Sequence, residues 1–226
     1  MTFVQLRAVG DVLLWTRNGK EPFALIQHEL RQKDLLFGNL ETALSETGTE
    51  SKKRWINTNP PEAGDYLRDA GFDIVSVANN HTLDMGREGF EKTLEGLETR
   101  GIAYIGGARG DDPPAGQVIE RNGIRLGFLA YTSGRFRSPS GVTVAKLRKK
   151  AIINDIKTLK DQCDHVILSL HWGIENTYYP SPNQVWLAHA LIDSGATLIL
   201  GHHSHTIQGL ERYIAGLTAI PFETSR

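Results

Sequence analysis

Five consecutive residues, Gly201-His202-His203-Ser204-His205, carry the strongest chemical signal in the chain. They directly follow the apolar run Thr197-Leu198-Ile199-Leu200, which predicts a buried strand that breaks into a loop at glycine. Imidazole is the commonest metal-ligating side chain, and histidines at i and i+2 on an extended backbone can turn toward one ion. A polar loop whose histidines have no role is the alternative. This alternative is weakened because other apolar segments of the chain also end in polar residues that can bind metal.

Four other predicted strands also run into polar side chains. Their ends are marked by Asp11, by Asn39 and Glu41, by Asn79-Asn80-His81, and by His171. In open α/β sheets the loops at the carboxyl ends of strands converge, so binding sites form there. A ligand set of nitrogen and oxygen atoms without thiolate suits Zn, Mn, Fe or Co, and it disfavours a structural zinc. The sequence therefore predicts a metal site at these strand ends.

Short apolar strands alternate with amphipathic helices, which predicts an α/β fold. Strands are predicted at residues 4–9, 35–37, 73–78, 102–105, 118–121, 124–128, 165–170 and from 197 onward. Helices are predicted at residues 21–32, 61–70, 88–100, 146–159 and 184–192. Asn122-Gly123 between two apolar runs predicts a type I′ hairpin, and hence an antiparallel part of the sheet. Residues 43–61 are polar and are expected to form an exposed loop.

The bulk composition excludes several classes of function. The 226 residues contain 25 Lys and Arg against 26 Asp and Glu, a net charge of −1, which gives no electrostatic footprint for nucleic acid or an anionic membrane. No run of about 18 apolar residues is present, and the first seven residues lack the parts of a signal peptide. With a single cysteine, Cys163, the cytoplasm is expected. The length fits one domain over residues 1–226.

Five motifs follow one another along nearly the whole chain. They are Gly10-Asp11-Val12-Leu13, Asn39-Leu40-Glu41-Thr42, the stretch from Ala78-Asn79-Asn80-His81 to Asp84-Met85-Gly86, His171-Trp172-Gly173-Ile174-Glu175, and Gly201-His202-His203-Ser204-His205. This ordered set resembles the CapA, or poly-γ-glutamate capsule biosynthesis, family. That family is a branch of the calcineurin-like metallophosphoesterase superfamily. The resemblance implies a sandwich of two mixed β-sheets flanked by α-helices, with a dinuclear centre of Mn, Zn or Fe between the strand-end loops.

The resemblance also implies a ligand set of six residues, namely Asp11, Glu41, Asn80, His171, His203 and His205. Asp11 and His205 would bind the first metal ion. Glu41 would bridge both ions, with Asn39 as a substitute or neighbour. Asn80, His171 and His203 would complete the shell of the second ion.

Five further residues are expected to act on the substrate side of the centre. The resemblance implies that His81 faces the substrate, where it stabilises the transition state or protonates the leaving oxygen, and that Asp84 orients His81. His202 is expected to face the substrate or to support the ligands. Glu175 is expected to contact the substrate, to join the ligand network or to support the His171 loop. Five basic loop residues, Lys52, Lys53, Arg54, Arg135 and Arg137, are interpreted as solvated charge. The alternative is that they form a cationic rim in which Arg135 contacts an anionic substrate.

Three positions depart from the pattern of the superfamily. A histidine is expected two residues after the first aspartate, but this chain has Leu13, so the first ion has one ligand fewer. The bridging aspartate of the superfamily is replaced by the Asn39 and Glu41 pair. The family continues past its last histidine motif into a strand like Tyr-Ser-Leu-Gly-Asn-Phe, whereas residues 216–222 read Gly-Leu-Thr-Ala-Ile-Pro-Phe.

Two metal ions roughly 3.5–4 Å apart can clamp the attacking and departing oxygens of an in-line displacement. We therefore expect a metal-dependent hydrolase that acts on a phosphoester or related anionic substrate, either a small molecule or a polymer. Two alternatives remain open. One is an accessory protein that binds poly-γ-glutamate with little or no catalysis, which Leu13 favours. The other is a hydrolase of γ-glutamyl amide bonds that uses the same metal centre.

Overall fold

The computed structural model describes residues 2–14, 21–214 and 216–219. Within these ranges the strands are β1 (Leu6–Val12), β2 (Leu35–Leu40), β3 (Ala43–Leu44), β4 (Thr58–Asn59), β5 (Ile74–Ser76), β6 (Ala103–Ile105), β7 (Gly107–Arg109), β8 (Gln117–Arg121), β9 (Ile124–Thr132), β10 (Val142–Val144), β11 (His165–His171), β12 (Leu198–His202), β13 (Leu210–Tyr213) and β14 (Gly216–Ala219). The α-helices are α1 (Gln27–Arg31), α2 (Gly64–Ala70), α3 (Gly86–Glu98), α4 (Lys149–Lys160) and α5 (Pro182–Asp193), and a 3-10 turn at Pro61–Ala63 precedes α2. None of the helices described has the length and apolar character needed to cross a bilayer.

Two β-sheets form the centre of the fold. The first has the strand order β1-β2-β5-β6 and is parallel throughout. The second has the order β13-β14-β12-β11-β9-β8, in which β14, β12, β11 and β9 run parallel while β8 and β13 pair antiparallel at the outside. The predicted α/β class and two-sheet arrangement are confirmed. Within the described residues, antiparallel pairing occurs only in the second sheet and in the short β7–β10 pair.

The two sheets face each other across an apolar core. Phe37 on β2 stacks on Phe128 of β9, with ring centroids 6.2 Å apart and ring planes 9° apart. On the outer face of the first sheet, α3 packs Phe90 into an apolar layer that is continuous with this core. On the outer face of the second sheet, α4 and α5 bury Ile156 and Leu191 in a separate cluster. Since both faces of β2 are covered, all six of its residues are buried. The chain is thus layered helix, sheet, sheet, helix.

Local sequence explains the element boundaries that matter for the site. The predicted hairpin is confirmed, because Asn122 (φ 54°) and Gly123 (φ 74°) are both left-handed between β8 and β9. Helix α5 begins with a capping box, in which Ser181 and Gln184 each accept a hydrogen bond from the other's backbone N–H. This cap fixes the point at which the loop after β11 ends. His171 is the last residue of β11 before that loop.

Two predictions about local structure need correction. The helix expected over residues 21–32 covers only Gln27–Arg31, and Leu25, part of its apolar pattern, is 97% exposed. The loop expected to be exposed over residues 43–61 is partly internal, since Ala43, Leu44 and Asn57 are buried and β3 pairs with β4. The prediction was wrong because it treated polar residues as exposed. Asn57 is buried, and its side-chain amide donates a hydrogen bond to the Glu41 carbonyl.

At the C-terminal side, Gly216–Ala219 forms β14 beside β12, so the second sheet continues beyond the histidine motif. Residues 220–222 of the run compared with the family pattern lie outside the described residues.

Candidate metal centre

Four strands deliver the polar residues to one place between the two sheets. In the first sheet Asp11 on β1 is paired with Asn39 on β2, and Glu41 follows β2 directly. In the second sheet His171 on β11 is paired with His202 on β12. All four strands present their carboxyl ends here, as expected for a site in a parallel α/β sheet.

Asp11 links the two sheets at the floor of this site. Its side chain is buried, and its Oδ1 accepts a hydrogen bond of 2.7 Å from Asn39 Nδ2. Its Oδ2 accepts a hydrogen bond of 2.9 Å from the backbone N–H of His203. His205 Nδ1 lies 3.8 Å from the same Oδ2. The carboxylate is therefore held by both sheets while it faces the histidine loop.

Glu41 is the most unusual group in the site. The side chain is fully buried, and neither of its oxygens has a hydrogen-bond partner among the described residues. Burial, followed by the nearby charges of Asp11 and Glu175, raises the pKa of Glu41 well above its usual value. A buried carboxylate without donors is costly unless a cation accompanies it. Glu41 thus has the environment of a metal ligand.

His171 lies beside Glu41 and is buried on all sides. Its Nε2 is 3.5 Å from Glu41 Oε1 and 2.9 Å from Asn80 Oδ1. On the other side of the ring, Nδ1 is 3.2 Å from Asn39 Nδ2. Burial, together with the neighbouring histidines led by His203, holds the pKa of His171 well below its usual value. The ring is therefore neutral near pH 7, which is the form that binds metal.

The histidine loop turns away from β12 through two strained residues. His203 and His205 have φ angles of 90° and 52°, in the left-handed region that residues other than glycine rarely adopt. These turns bring the ring of His203 to 4.7 Å from that of His171 and 6.1 Å from that of His205. Nδ1 of His203 is buried and has no hydrogen-bond partner in the described part of the chain. Burial lowers the pKa of His203, against the opposing effects of Glu175 and Asp11.

Three overlapping sets of side chains place their ligand atoms within 4.8 Å of one another. The first contains Asp11, Glu41 and His205, and the second contains Glu41, His171 and His203. Glu41 belongs to both, which is the position expected of a bridging ligand. The third set contains Glu175, His203 and His205. The two oxygens of Glu41 and Nδ1 of His203 are buried and have no hydrogen-bond partner among the described residues. Such atoms fit a divalent metal ion, which would accept their lone pairs.

His81 and Asp84 form a pair next to these sets. His81 Nδ1 is 2.5 Å from Asp84 Oδ2, and Asp84 is fully buried. Burial acts to raise the pKa of Asp84, but hydrogen bonds from His81, Lys53 and the backbone of Asn57 outweigh it and lower the pKa. The ionised carboxylate therefore accepts from Nδ1 and leaves Nε2 of His81 for another partner. Asn79 Oδ1 accepts from the backbone N–H of His81 at 3.0 Å and holds the segment in place.

The three residues expected to contact substrate lie in different surroundings. His202 is 1% exposed and lies 3.6 Å from Asp11 Oδ1, with its ring centroid 6.0 Å from that of Phe37. This buried position favours support of Asp11 over contact with substrate. Glu175 is exposed and lies near His203 and His205. Arg135 is exposed, and no hydrogen bond or ion pair joins it to the centre among the described residues.

Lys53 has a role here that the sequence did not reveal. Its Nζ donates a hydrogen bond of 2.6 Å to Asp84 Oδ1 and another to the backbone carbonyl of Asn80. It thus contacts the partner of His81 and the backbone of a predicted ligand. The sequence showed only a charged triplet in a polar loop, where solvated charge was the simplest interpretation.

Comparison with known proteins gives a consistent result. A family model described as "Bacterial capsule synthesis protein PGA_cap" matches residues 5–221. The "Capsule biosynthesis protein CapA" of Bacillus anthracis is 27% identical over 92% of this chain and 56% of its own length. The "PGA biosynthesis protein CapA" of Bacillus subtilis is 28% identical over 91% of this chain and 58% of its own length. The chain therefore spans somewhat more than half the length of these relatives.

Solved structures share the fold at low sequence identity. A hypothetical protein from Thermus thermophilus has a TM-score of 0.60 and 19% identity, covering 97% of this chain and 76% of that one. A novel phosphatase from Mycoplasma pneumoniae has a TM-score of 0.62 and 15% identity, covering 99% of this chain and 73% of that one. A 5'-nucleotidase precursor, also from Thermus thermophilus, has a TM-score of 0.57 and 15% identity, covering 91% and 42%. These similarities establish the metallophosphoesterase-like fold.

Proposed function

Since the chain belongs to the bacterial capsule synthesis protein PGA_cap family, we propose that it is a metal-dependent hydrolase acting on a phosphoester or related anionic substrate. One observation carries the proposal. Glu41 is shared by two sets of potential ligands, one completed by Asp11 and His205 and the other by His171 and His203. A buried carboxylate shared by two ligand sets could serve a pair of divalent ions, which is the arrangement used for in-line displacement.

Each side chain has a separate task in the proposed centre. Asp11 and His205 would hold one ion and His171 and His203 the other; Glu41 belongs to both sets, and Asn80 Oδ1 lies beside His171. Bound divalent metal supplies positive charge that polarises a phosphoryl oxygen and lowers the pKa of water. Mn²⁺, Zn²⁺ and Fe²⁺ all suit this set of nitrogen and oxygen donors.

His81 acts on the leaving group in this proposal. Asp84 fixes the ring through Nδ1, so Nε2 is the nitrogen that can reach a substrate oxygen. When the ring carries two protons, Nε2–H donates to the departing oxygen, and the buried Asp84 carboxylate stabilises the positive ring. His81 is 13% exposed at its side chain, so it is open to a bound substrate while its partner is not.

A second function is favoured by the relatives. The Bacillus proteins are named for capsule and PGA biosynthesis, and neither name describes hydrolysis. The second candidate is therefore an accessory protein that uses the metal centre to bind the carboxylates of an anionic polymer such as poly-γ-glutamate. Leu13 favours this candidate, because it removes a metal ligand that hydrolases of the superfamily are expected to have.

Metal analysis combined with substrate assays tests the proposal. Purified chain is loaded with Mn²⁺ or Zn²⁺, freed of excess metal and assayed for bound ions. It is then tested with an aryl phosphate monoester, an aryl phosphate diester and a γ-glutamyl anilide. We expect about two ions per chain and turnover of a phosphate ester. His203→Ala should lose metal and turnover, whereas His81→Ala should keep the metal and lose about 10²–10⁴-fold in kcat.

Other outcomes assign the function differently. Bound metal with turnover of the anilide alone supports an amide hydrolase. Bound metal with no turnover, but with retention of poly-γ-glutamate on the wild-type chain and not on His203→Ala, supports the accessory protein. A chain that binds no metal under any of these conditions contradicts both candidates. His189→Ala is the matched control, since the half-buried His189 on α5 pairs with Glu211 on β13 and lies outside the ligand sets.

A further inference from the structure

Glu175 lies on a loop that is fastened to the histidine loop. The backbone N–H of Asn176 donates a hydrogen bond of 2.7 Å to the carbonyl of Ser204. The carbonyl of Thr177 accepts from Gln208 Nε2 at 2.7 Å and also from the hydroxyl of Thr206. Because these bonds fix the two residues that follow Glu175, the backbone at residue 175 is held against the loop that carries His203 and His205.

The carboxylate of Glu175 forms a ligand set with those two histidines. One oxygen of Glu175 and one nitrogen of each ring lie within 4.8 Å of one another. His205 also belongs to the set of Asp11, and His203 also belongs to the set of His171. Glu175 therefore reaches one ligand of each proposed ion, as Glu41 does. Unlike Glu41, however, it is exposed to solvent.

We propose that Glu175 is a metal ligand on the solvent-facing side of the centre, acting with His203 and His205. The assignment rests on the proposed metal-dependent function, and among the three roles expected for Glu175 it selects membership of the ligand network. The set of Asp11, Glu41 and His205 offers only three side chains to one ion, and Leu13 adds no donor. Because Glu175 shares His205 with that set and His203 with the set of His171, its carboxylate would add an oxygen donor on the solvent side of the centre.

The charge balance agrees with this assignment. Asp11, Glu41 and Glu175 together carry three negative charges when ionised, and two divalent ions carry four positive charges. A net positive charge remains for an anionic substrate. Without Glu175 the centre would be more positive, but the ions would also be bound less tightly.

Metal titration of Glu175→Gln tests the assignment without any assay of activity. Metal-free wild type and variant are titrated with Zn²⁺ by calorimetry and with Co²⁺ by visible absorption, which reports the coordination of the ion. We expect Glu175→Gln to weaken the affinity for at least one ion by about tenfold or more and to change the Co²⁺ spectrum. Glu120→Gln, an exposed carboxylate on β8 far along the chain from the ligand sets, should match the wild type in both measurements.

The possible results separate this inference from the proposed function. Equal metal affinities and spectra for wild type and Glu175→Gln overturn the inference while leaving the metal-dependent function in place. The same holds if Glu175→Gln raises only the KM for substrate. A wild-type chain that binds no Zn²⁺ or Co²⁺ overturns both. Thermal melting of both variants in a chelator confirms that they fold, as expected for substitutions at exposed positions.

Discussion

Asp84 is a buried carboxylate that receives four hydrogen bonds. The donors are His81 Nδ1, Lys53 Nζ, the backbone N–H of Asn57 and, at 3.4 Å, the hydroxyl of Ser51. Three of these donors come from a loop that is distant in sequence from Asp84. The carboxylate therefore joins the loop before α2 to the segment that carries the predicted ligand Asn80. It contributes to stability as well as to the orientation of His81.

The lowered pKa of Asp84 makes this contribution depend on pH. An aspartate in an unfolded chain has a pKa of about 3.9, and the folded value here is lower. The stabilisation is therefore fully present above about pH 5 and is lost as the pH falls through the folded pKa. We expect Asp84→Asn to reduce the free energy of unfolding by about 1.5–3 kcal/mol at pH 7, with a smaller difference below about pH 4.

Urea unfolding of both chains at pH 7, 5 and 3.5 measures this difference. Asp112→Asn serves as the control, because Asp112 is exposed and should change little at any of these values. A loss of stability in Asp84→Asn that is equal at all three values would contradict the account.

Lys53 should affect catalysis through Asp84 and Asn80 rather than by contact with substrate. We expect Lys53→Met to lower kcat about tenfold with little change in KM, because Asp84 then holds the ring of His81 less firmly. Steady-state kinetics on the best phosphate ester measures both constants. Lys52→Met is the matched control, since Lys52 is exposed beside it and should have no effect. A rise in KM alone would place Lys53 in a cationic rim instead.

The convergence of the side chains of the centre could be predicted from the sequence, whereas the contacts of Lys53 could not. Asp11, Glu41, His171, His203 and His205 follow predicted strands, and the fold brings strand ends together. Lys53 was interpreted as solvated charge, because no local pattern reveals that a loop lysine bonds to a carboxylate 31 positions away. Such contacts depend on tertiary structure.

At the scale of elements, the turn between β6 and β7 lies between the two large sheets and contacts both. Gly106 has a φ of 82°, and a Cβ atom there would lie 2.5 Å from Ala78 Cβ and 2.9 Å from Ala130 Cβ. Ala78 directly precedes the Asn79-Asn80-His81 segment of the first sheet, and Ala130 lies on β9 of the second. The absence of a side chain at Gly106 thus allows the sheets to approach next to the metal centre.

We expect Gly106→Ala to destabilise the protein by about 2–4 kcal/mol, since overpacking adds to backbone strain. Gly110→Ala is the matched control. Gly110 also has a positive φ of 94°, but nothing lies within 4 Å of the position that an alanine methyl would take, so only about 1–2 kcal/mol of strain is expected. Chemical unfolding of the two variants measures the difference. Equal losses would show that close packing at Gly106 adds nothing.

The elements themselves were predicted with uneven success, for physical reasons. The hairpin at Asn122-Gly123 was predictable, because both residues favour the left-handed conformation that its turn requires. The helix over residues 21–32 was overestimated, since an apolar period produces a helix only where a core covers it, and Leu25 has no such cover. Short pairs such as β7–β10 are held by tertiary contacts and have no periodicity of their own.

At the scale of the whole molecule, one core cluster includes residues from both sheets, such as Phe37 and Phe128. We therefore propose that the chain unfolds as one domain, in a single transition. A bound ion that contacts both sheets should raise the stability of that entire unit, by about 2.7 kcal/mol when the free metal is a hundred times its Kd.

Glu41→Gln tests the link between metal and stability. The variant removes a buried carboxylate without hydrogen-bond partners among the described residues, so the metal-free form should melt at or above the temperature of metal-free wild type. It should also lose most of the rise in melting temperature that Mn²⁺ or Zn²⁺ gives the wild type. Calorimetric scans with metal and with a chelator measure both effects. A metal-free variant that melts well below the wild type would contradict this view of Glu41.

The order of the two sheets along the chain has a consequence for how the protein is made. The first sheet ends at Ile105 and the second begins at Gln117, so Glu41 leaves the ribosome long before His203. At common rates of synthesis the delay is roughly 10–30 s. During that time the nascent chain has carboxylates but not the histidines of the centre, and carboxylates alone hold Mg²⁺ or Ca²⁺ better than they select Zn²⁺. In the proposed centre, selection of the ion would therefore wait for the last strands, and metal loading would be a late step of biosynthesis.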